Sequence, residues 1–238
     1  MSGGMVDEAG GEMAKGTDAQ WKMIYLARRN PALAAEDFAQ AWREHSALGR
    51  QCRNVQDKVL GVRQCARVLD PEDVPRGACT AYDGVNLLRL RDRRAADDIW
   101  NDEETLRIMR PDEPRVFSTY VRDFALTARE TVLAGGDETG VCVVLFLRGA
   151  PPSAAAFAFG PGSPWAAAAR LVWNTVTGVR PPGYEYDAIV EAWFVSVEAV
   201  AAAFGEAPVW AQLPAALAGA VDAARSVCVL THVTHRRP

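Results

Sequence analysis

The sequence predicts an α+β fold made of two similar halves, and three observations carry that expectation. Over residues 22–133, short apolar runs and helical stretches follow the order strand, helix, strand, strand, helix, strand, which is the ferredoxin-like plan. The pair Tyr82-Asp83 at the head of one strand recurs as Tyr186-Asp187 at the head of another. Between the two lies Ala134-Gly135-Gly136-Asp137, a linker signal, after which a strand pattern restarts.

The first strand is Met23-Ile24-Tyr25-Leu26, bounded by Arg28-Arg29-Asn30-Pro31. Pro31 has no N–H and biases Asn30 towards extended backbone, so the run stops there. Phe38, Ala41, Trp42, His45 and Gly49 then follow at spacings of three and four, one face of an amphipathic helix. Residues 59–69 predict a second strand, and Tyr82 to Leu90 a third. Ala95 to Met109 has helical character, with Ile99, Leu106 and Ile108 as expected core anchors, and 128–133 predicts a fourth strand. In the second half, strands are expected at Val141–Arg148, Tyr186–Phe194 and Val227–Val233, with a helix over Val197–Phe204. An antiparallel sheet with helices on one face leaves the other face apolar and open, so the halves are expected to cover each other sheet to sheet.

His45 stands out because it rides on the mostly apolar face of a helix that directly follows a core strand. A hydrogen-bonded packing role is the commoner one for such a histidine. The string from the first strand through Arg28-Arg29, Asn30-Pro31 and AEDFAQAWREHSALG resembles the opening of an EthD-family domain. There a helix carries a Trp followed by Glu-His and a small residue, here Trp42, Glu44, His45 and Ser46. Both Tyr-Asp strand starts are also similar to that pattern. The resemblance covers most of residues 22–235 and implies a pseudo-dimeric α+β barrel from two fused EthD-like halves. It also implies a functional role for His45.

The expected organisation is a disordered tail over 1–20, a first half over 21–134 carrying His45, a linker over 135–140, and a second half over 141–238. The second half departs from the first where the helix should be. Gly149, Pro151, Pro152, Gly160, Pro161 and Gly162 break helical continuity, and no histidine occurs between His45 and His232. One active cavity and one degenerate one are therefore expected.

Composition narrows the function. A net charge of −4, with arginines dispersed among acids, argues against a nucleic-acid or anionic-membrane surface. No apolar run reaches the ~18 residues that span a bilayer. The start has neither a basic region nor an apolar stretch of the signal-peptide kind, which predicts a cytoplasmic protein. Five cysteines without CxxC spacing and three histidines without an HxxxH pair disfavour disulfide scaffolds and thiolate zinc sites. No dinucleotide loop, P-loop or nucleophile elbow occurs.

What remains is a hydrophobic cavity, with seven tryptophans in the chain, for a small, aromatic or polycyclic molecule handled without metal or cofactor. A histidine within reach of a carboxylate is the equipment of general acid–base catalysis. Period-two alternation puts Asp187, Ile189, Glu191 and Trp193 on one strand face, expected as a pocket wall, and Tyr186, Ala188, Val190, Ala192 and Phe194 on the helix-packed face. Alternation leaves open which face of the first strand turns inward. The expected catalytic set is His45, Glu191 and Asp83; the expected substrate contacts are Tyr25, Trp42, Tyr82, Asp187, Trp193 and His232. Turn-capping at a strand start is the ordinary role of an Asp such as Asp83 or Asp187, and a solvated sheet edge that of Glu191.

The resemblance implies similar chemistry, since EthD relatives act on ethers and aromatic compounds, or dehydrate and decarboxylate polyketide-derived rings. A lyase with His45 as acid and base is the leading expectation. A cofactor-free monooxygenase of a phenol and a non-catalytic binder of a hydrophobic metabolite are the alternatives. Haem binding through His45 or His232, known in related barrels, completes the set, and homodimer formation stays open.

Overall fold

The computed structural model describes residues 20–237. The expected N-terminal tail lies outside the described residues, apart from Gln20. Eight strands form one closed antiparallel barrel: β1 (Trp21–Ala27), β2 (Val59–Arg67), β3 (Gly84–Leu90), β4 (Ala125–Ala134), β5 (Val141–Leu147), β6 (Arg170–Thr177), β7 (Ala188–Phe194) and β8 (Val227–Arg237). Around the barrel the order is β1-β3-β2-β8-β5-β7-β6-β4, and β4 pairs back onto β1.

Two runs of four strands thus repeat one order, β4-β1-β3-β2 and β8-β5-β7-β6. The joins are β2 to β8 and β4 to β6, both hydrogen-bonded antiparallel pairs. This corrects the expectation that two sheets lie face to face. The sheet edges pair instead, which removes every free edge and rolls the apolar faces around a common interior.

Asp83 and Asp187 occupy matching places in this order. The Asp83 N–H donates to Ala27 O at the end of β1, and the Asp187 N–H donates to Leu147 O at the end of β5, each at 2.8 Å. Each carboxylate then accepts from the backbone two residues past that strand end, Arg29 N–H at 2.9 Å and Gly149 N–H at 2.6 Å. Both aspartates therefore tie a strand exit to its neighbour's entry.

Alternation divides the side chains into three cores. Ile24, Leu26, Val85, Leu87, Leu126, Val144, Phe146, Ile189, Trp193 and Val229 fill the barrel interior. An eight-stranded barrel has an interior just wide enough for side chains to fill. The outer face of β1–β3 is covered by α1 (Phe38–Leu48), and α2 (Arg53–Lys58) comes next along the chain. The outer face of β5–β8 carries the second half's helices and turns, packed on Phe157, Trp165, Trp173 and Phe204.

The expected helix over Ala95–Met109 is broken. It consists of α3 (Arg93–Asp98), a π-helical turn Thr105–Met109, a 3-10 turn Arg110–Asp112 and α4 (Glu113–Val116). Asp102 caps the π-helical turn by accepting from Thr105 N–H at 2.9 Å, and Pro111 and Pro114 interrupt the chain from Arg110 to Val116. Ile99 is buried as expected, whereas Ile108 is half-buried and Leu106 is 43% exposed. Strand β6, rich in β-branched residues, was not among the expected strands. Helix α5 (Val197–Phe204) spans its expected residues, and α6 (Ala215–Ala218) precedes β8.

Candidate active site

A cavity opens between α1, the broken segment after α3, and the outer face of β1, β3 and β2. It contains about 640 Å³ free of atoms, mouth included. Its apolar wall includes Trp42, Val62, Leu88, Ile99, Trp100 and Phe117, and its polar groups include Tyr25, His45, Gln64, Asn86 and Glu113.

Helix periodicity brings Phe38, Trp42 and His45 to the sheet side of α1, all buried. Phe38 stacks on Trp42 at 5.0 Å between ring centroids, and Phe117 stands edge-on to the His45 ring at 5.5 Å. Gly84 on β3 makes room for the indole. A Cβ there would lie 2.7 Å from the Trp42 ring and 2.8 Å from Cys65 O.

His45 Nδ1 lies 3.0 Å from Asp112 Oδ2. Arg115 clamps the same carboxylate with two hydrogen bonds, Nε to Oδ1 at 2.7 Å and Nη2 to Oδ2 at 3.1 Å. Arg115 holds Asp112 below the usual carboxylate range. Burial lowers the pKa of His45; Asp112 raises it and Arg115 lowers it, and the net result lies below the ordinary 6.5. A neutral ring donates its Nδ1–H to the carboxylate, which leaves Nε2 as the basic nitrogen of a ring lining the cavity.

Three further polar groups share the cavity. Tyr25, Asn86 and Gln64 sit side by side across β1, β3 and β2, in direct register. Burial, with Glu113 nearby, pushes the Tyr25 hydroxyl well up, so it stays protonated. Glu113 is buried, accepts from Val121 N–H at 2.9 Å, and is raised by burial.

Of the expected site residues, the structure brings His45, Tyr25 and Trp42 together and places the rest elsewhere. Glu191 and Trp193 point into the barrel interior and are fully buried, so this face is not a pocket wall. Glu191 bonds Lys22 Nζ at 2.6 Å and Asn174 Nδ2 at 2.8 Å, and Lys22 also meets Glu130 at 2.5 Å. Nor is Glu191 a solvated edge residue. The charge is stable inside because the ammonium and amide replace its water.

Asp83 pairs with Arg29 at 2.6 Å, and Asp187 with Arg180 at 3.2 Å, both at the strand starts. Tyr82 stacks under Arg28, 4.4 Å from the ring centre, at the barrel end. His232 is exposed on β8, opposite Ala66 and Val141. Asp83, Asp187, Tyr82 and His232 thus all lie outside the lining of the His45 cavity.

Sequence reasoning missed Asp112, Gln64, Asn86 and Glu113. Asn86 and Gln64 had a signal, being amides on the apolar helix-side positions of their strands. Asp112 had none beyond being one of several acids in a Pro-rich turn. Among the described residues no cluster of three His, Cys, Asp or Glu is placed to hold a metal ion, and no helix is long and apolar enough to cross a membrane.

No protein-family model matches the chain, the EthD model included, and no curated protein matches it. Among solved structures, an anthrone oxidase-like protein is 14% identical over 93% of this chain and 94% of its own, with a TM-score of 0.57. A chlorite dismutase variant from Candidatus Nitrospira defluvii is 11% identical over 91% and 92%, with a TM-score of 0.48. A candidate monooxygenase from Fusobacterium nucleatum is 6% identical over 92% and 93%, also with a TM-score of 0.48. The likeness is one of fold: the chain has the architecture of the dimeric α+β barrel proteins.

Proposed function

We propose that this protein is an enzyme that uses His45 as general base and acid on a hydrophobic, aromatic small molecule, without a cofactor. The observation that carries the reading is the His45–Asp112 pair in an aromatic cavity, with Nδ1 engaged and Nε2 available. Nε2 takes a proton from a carbon beside a carbonyl or from a phenol, and Asp112 stabilises the imidazolium formed. In the lyase reading, that electron pair expels a hydroxyl, which leaves as water with the proton His45 returns. In a decarboxylation the protonated His45 instead delivers its proton to the ring carbon that bears the carboxylate, and the C–C bond pair stays on the ring as carbon dioxide departs. The fold-level likeness to an anthrone oxidase-like protein favours a second reading. There the carbanion adds dioxygen, the peroxide takes up the proton, and loss of water leaves a new carbonyl.

We also propose that residues 21–134 and 141–238 are two fused EthD-like, ferredoxin-like halves, joined by 135–140. The repeated strand order and the matched Asp83 and Asp187 contacts support this. Only 3-10 turns, Ala154–Phe157 and Pro164–Ala167, connect β5 to β6, so this half has no counterpart of α1 or His45. Its outer core is filled by Phe157, Trp165 and Trp173, which makes it a supporting half.

Turnover of an anthrone in air and under nitrogen, with an oxygen electrode, tests the reaction. Oxygen uptake matched to product supports the oxidase reading, and product formed under nitrogen supports the lyase. Saturable binding without turnover in either gas would make the protein a binder, and a Soret band in the purified protein would contradict cofactor-free chemistry.

A further inference from the structure

The cavity's polar side has acceptors that nothing among the described residues satisfies. Gln64 is fully buried, and its Nε2 donates to the Trp42 carbonyl at 3.2 Å. A carbonyl can only accept, so the NH₂ end of the amide is fixed there and Oε1 is the end left over. Gln64 Oε1 has no hydrogen-bond partner, and neither does Oδ1 of Asn86, which is 4% exposed and sits directly across the strand pair. Both residues line the cavity, and the register places their amides side by side on its floor. Buried acceptors without donors are rare in folded proteins, and two adjacent ones in a cavity mark where donors arrive from outside.

We propose that the ligand is a hydroxylated aromatic molecule whose hydroxyl hydrogens are received by Gln64 Oε1 and Asn86 Oδ1. The inference deepens the reading of this cavity as a site for an aromatic molecule and names the substrate class. It does not depend on the role of His45. Selection follows from what each partner leaves unpaired. A phenolic hydroxyl donates to the amide oxygen, whereas its methyl ether brings only an acceptor and leaves two lone-pair groups facing each other. A site built to receive hydroxyls rejects the analogue lacking them far more strongly than an apolar pocket rejects a changed methyl group. The aromatic wall of Trp42, Trp100 and Phe117 holds either ring equally, so the amides decide between them.

The test uses a dihydroxynaphthalene with adjacent hydroxyls and its dimethyl ether, titrated against the whole protein by quenching of tryptophan emission. Wild type is expected to bind the diol at least ~10-fold more tightly than the ether, about 1.4 kcal/mol. Gln64→Met is expected to weaken the diol about tenfold while leaving the ether unchanged or tighter. Asn86 makes no hydrogen bond through Oδ1, so Asn86→Leu strips no partner from that acceptor, keeps the fold, and should likewise shrink the preference. Equal binding of diol and ether by wild type, no binding of either, or a preference intact in both variants would overturn the proposal. His45→Gln separates the two readings. The diol preference should survive in that variant, whether or not its turnover is lost.

Discussion

Asp112 Oδ2 and His45 Nδ1 are 3.0 Å apart, and Arg115 locks the same carboxylate in place with two hydrogen bonds. The carboxylate selects the tautomer and orientation of the ring. Replacing Asp112 by Ala should therefore lower turnover ~10-fold or more, short of the ~10²-fold expected for removing His45 itself. Steady-state kinetics of both variants check the order. An Asp112→Ala enzyme at wild-type rate would mean that the ring needs no partner.

The pH profile is set by the same pair. Burial holds His45 below the ordinary 6.5, so its ring stays neutral to lower pH than a free imidazole. The acid limb of kcat/KM should lie below pH 6.5 and move further down in Asp112→Ala, because Asp112 is the contribution that raises the value. Stability has the same sign. A folded-state pKa below the unfolded one gives a contribution complete above about 6.5 and lost as pH falls through the folded value. Denaturation at several pH values should show that slope in wild type and not in His45→Gln.

Much of this was legible in the sequence. The apolar run Met23 to Leu26 and the three–four spacing of Phe38, Trp42 and His45 are direct imprints of burial, and they located β1, α1 and the histidine. The two Tyr-Asp pairs mark matching places in the strand order, since each Asp N–H donates to the carbonyl at the end of a neighbouring strand. Glu191 was misplaced because alternation tells which residues share a face but not what lies beyond it. The barrel closes through β2–β8 and β4–β6 pairing between residues far apart in sequence, and no local pattern encodes that pairing. Asp112 reaches His45 across 67 residues, from a turn with no periodicity.

Lys22, Glu191 and Glu130 form a buried charge cluster inside the barrel, away from the cavity. Burial lowers the pKa of Lys22, but the two carboxylates more than offset it, so the ammonium stays charged. Lys22→Met should destabilise the fold by ~3–5 kcal/mol, because Glu191 is left as an uncompensated buried charge. Lys22→Met combined with Glu191→Leu should recover much of that loss. Urea denaturation of both variants measures it, and an unperturbed single variant would mean that water reaches the barrel interior.

Gly84 lets the Trp42 indole lie against β3. Gly84→Ala should cost ~1–3 kcal/mol by overpacking and displace the ring into the cavity. Ligand binding should weaken in parallel with the loss of stability. A variant with wild-type stability and binding would show that the indole has room to move without consequence.

Separating the chain between Gly135 and Gly136 should leave two insoluble pieces, since each would expose two unpaired strand edges and half of the barrel interior. Co-expression of the pieces should restore solubility. Soluble, folded, monomeric halves would sink the fused-pair organisation.

The most direct measurement of the central claim is single-turnover kinetics of His45→Gln on whichever substrate the wild type converts. Gln keeps hydrogen-bonding capacity but cannot take up a proton in the working pH range. The expected result is a loss of ~10²-fold or more in the chemical step, with ligand binding close to wild type and the fold intact. A His45→Gln protein that turns over at the wild-type rate would make His45 a packing residue and end the acid–base mechanism.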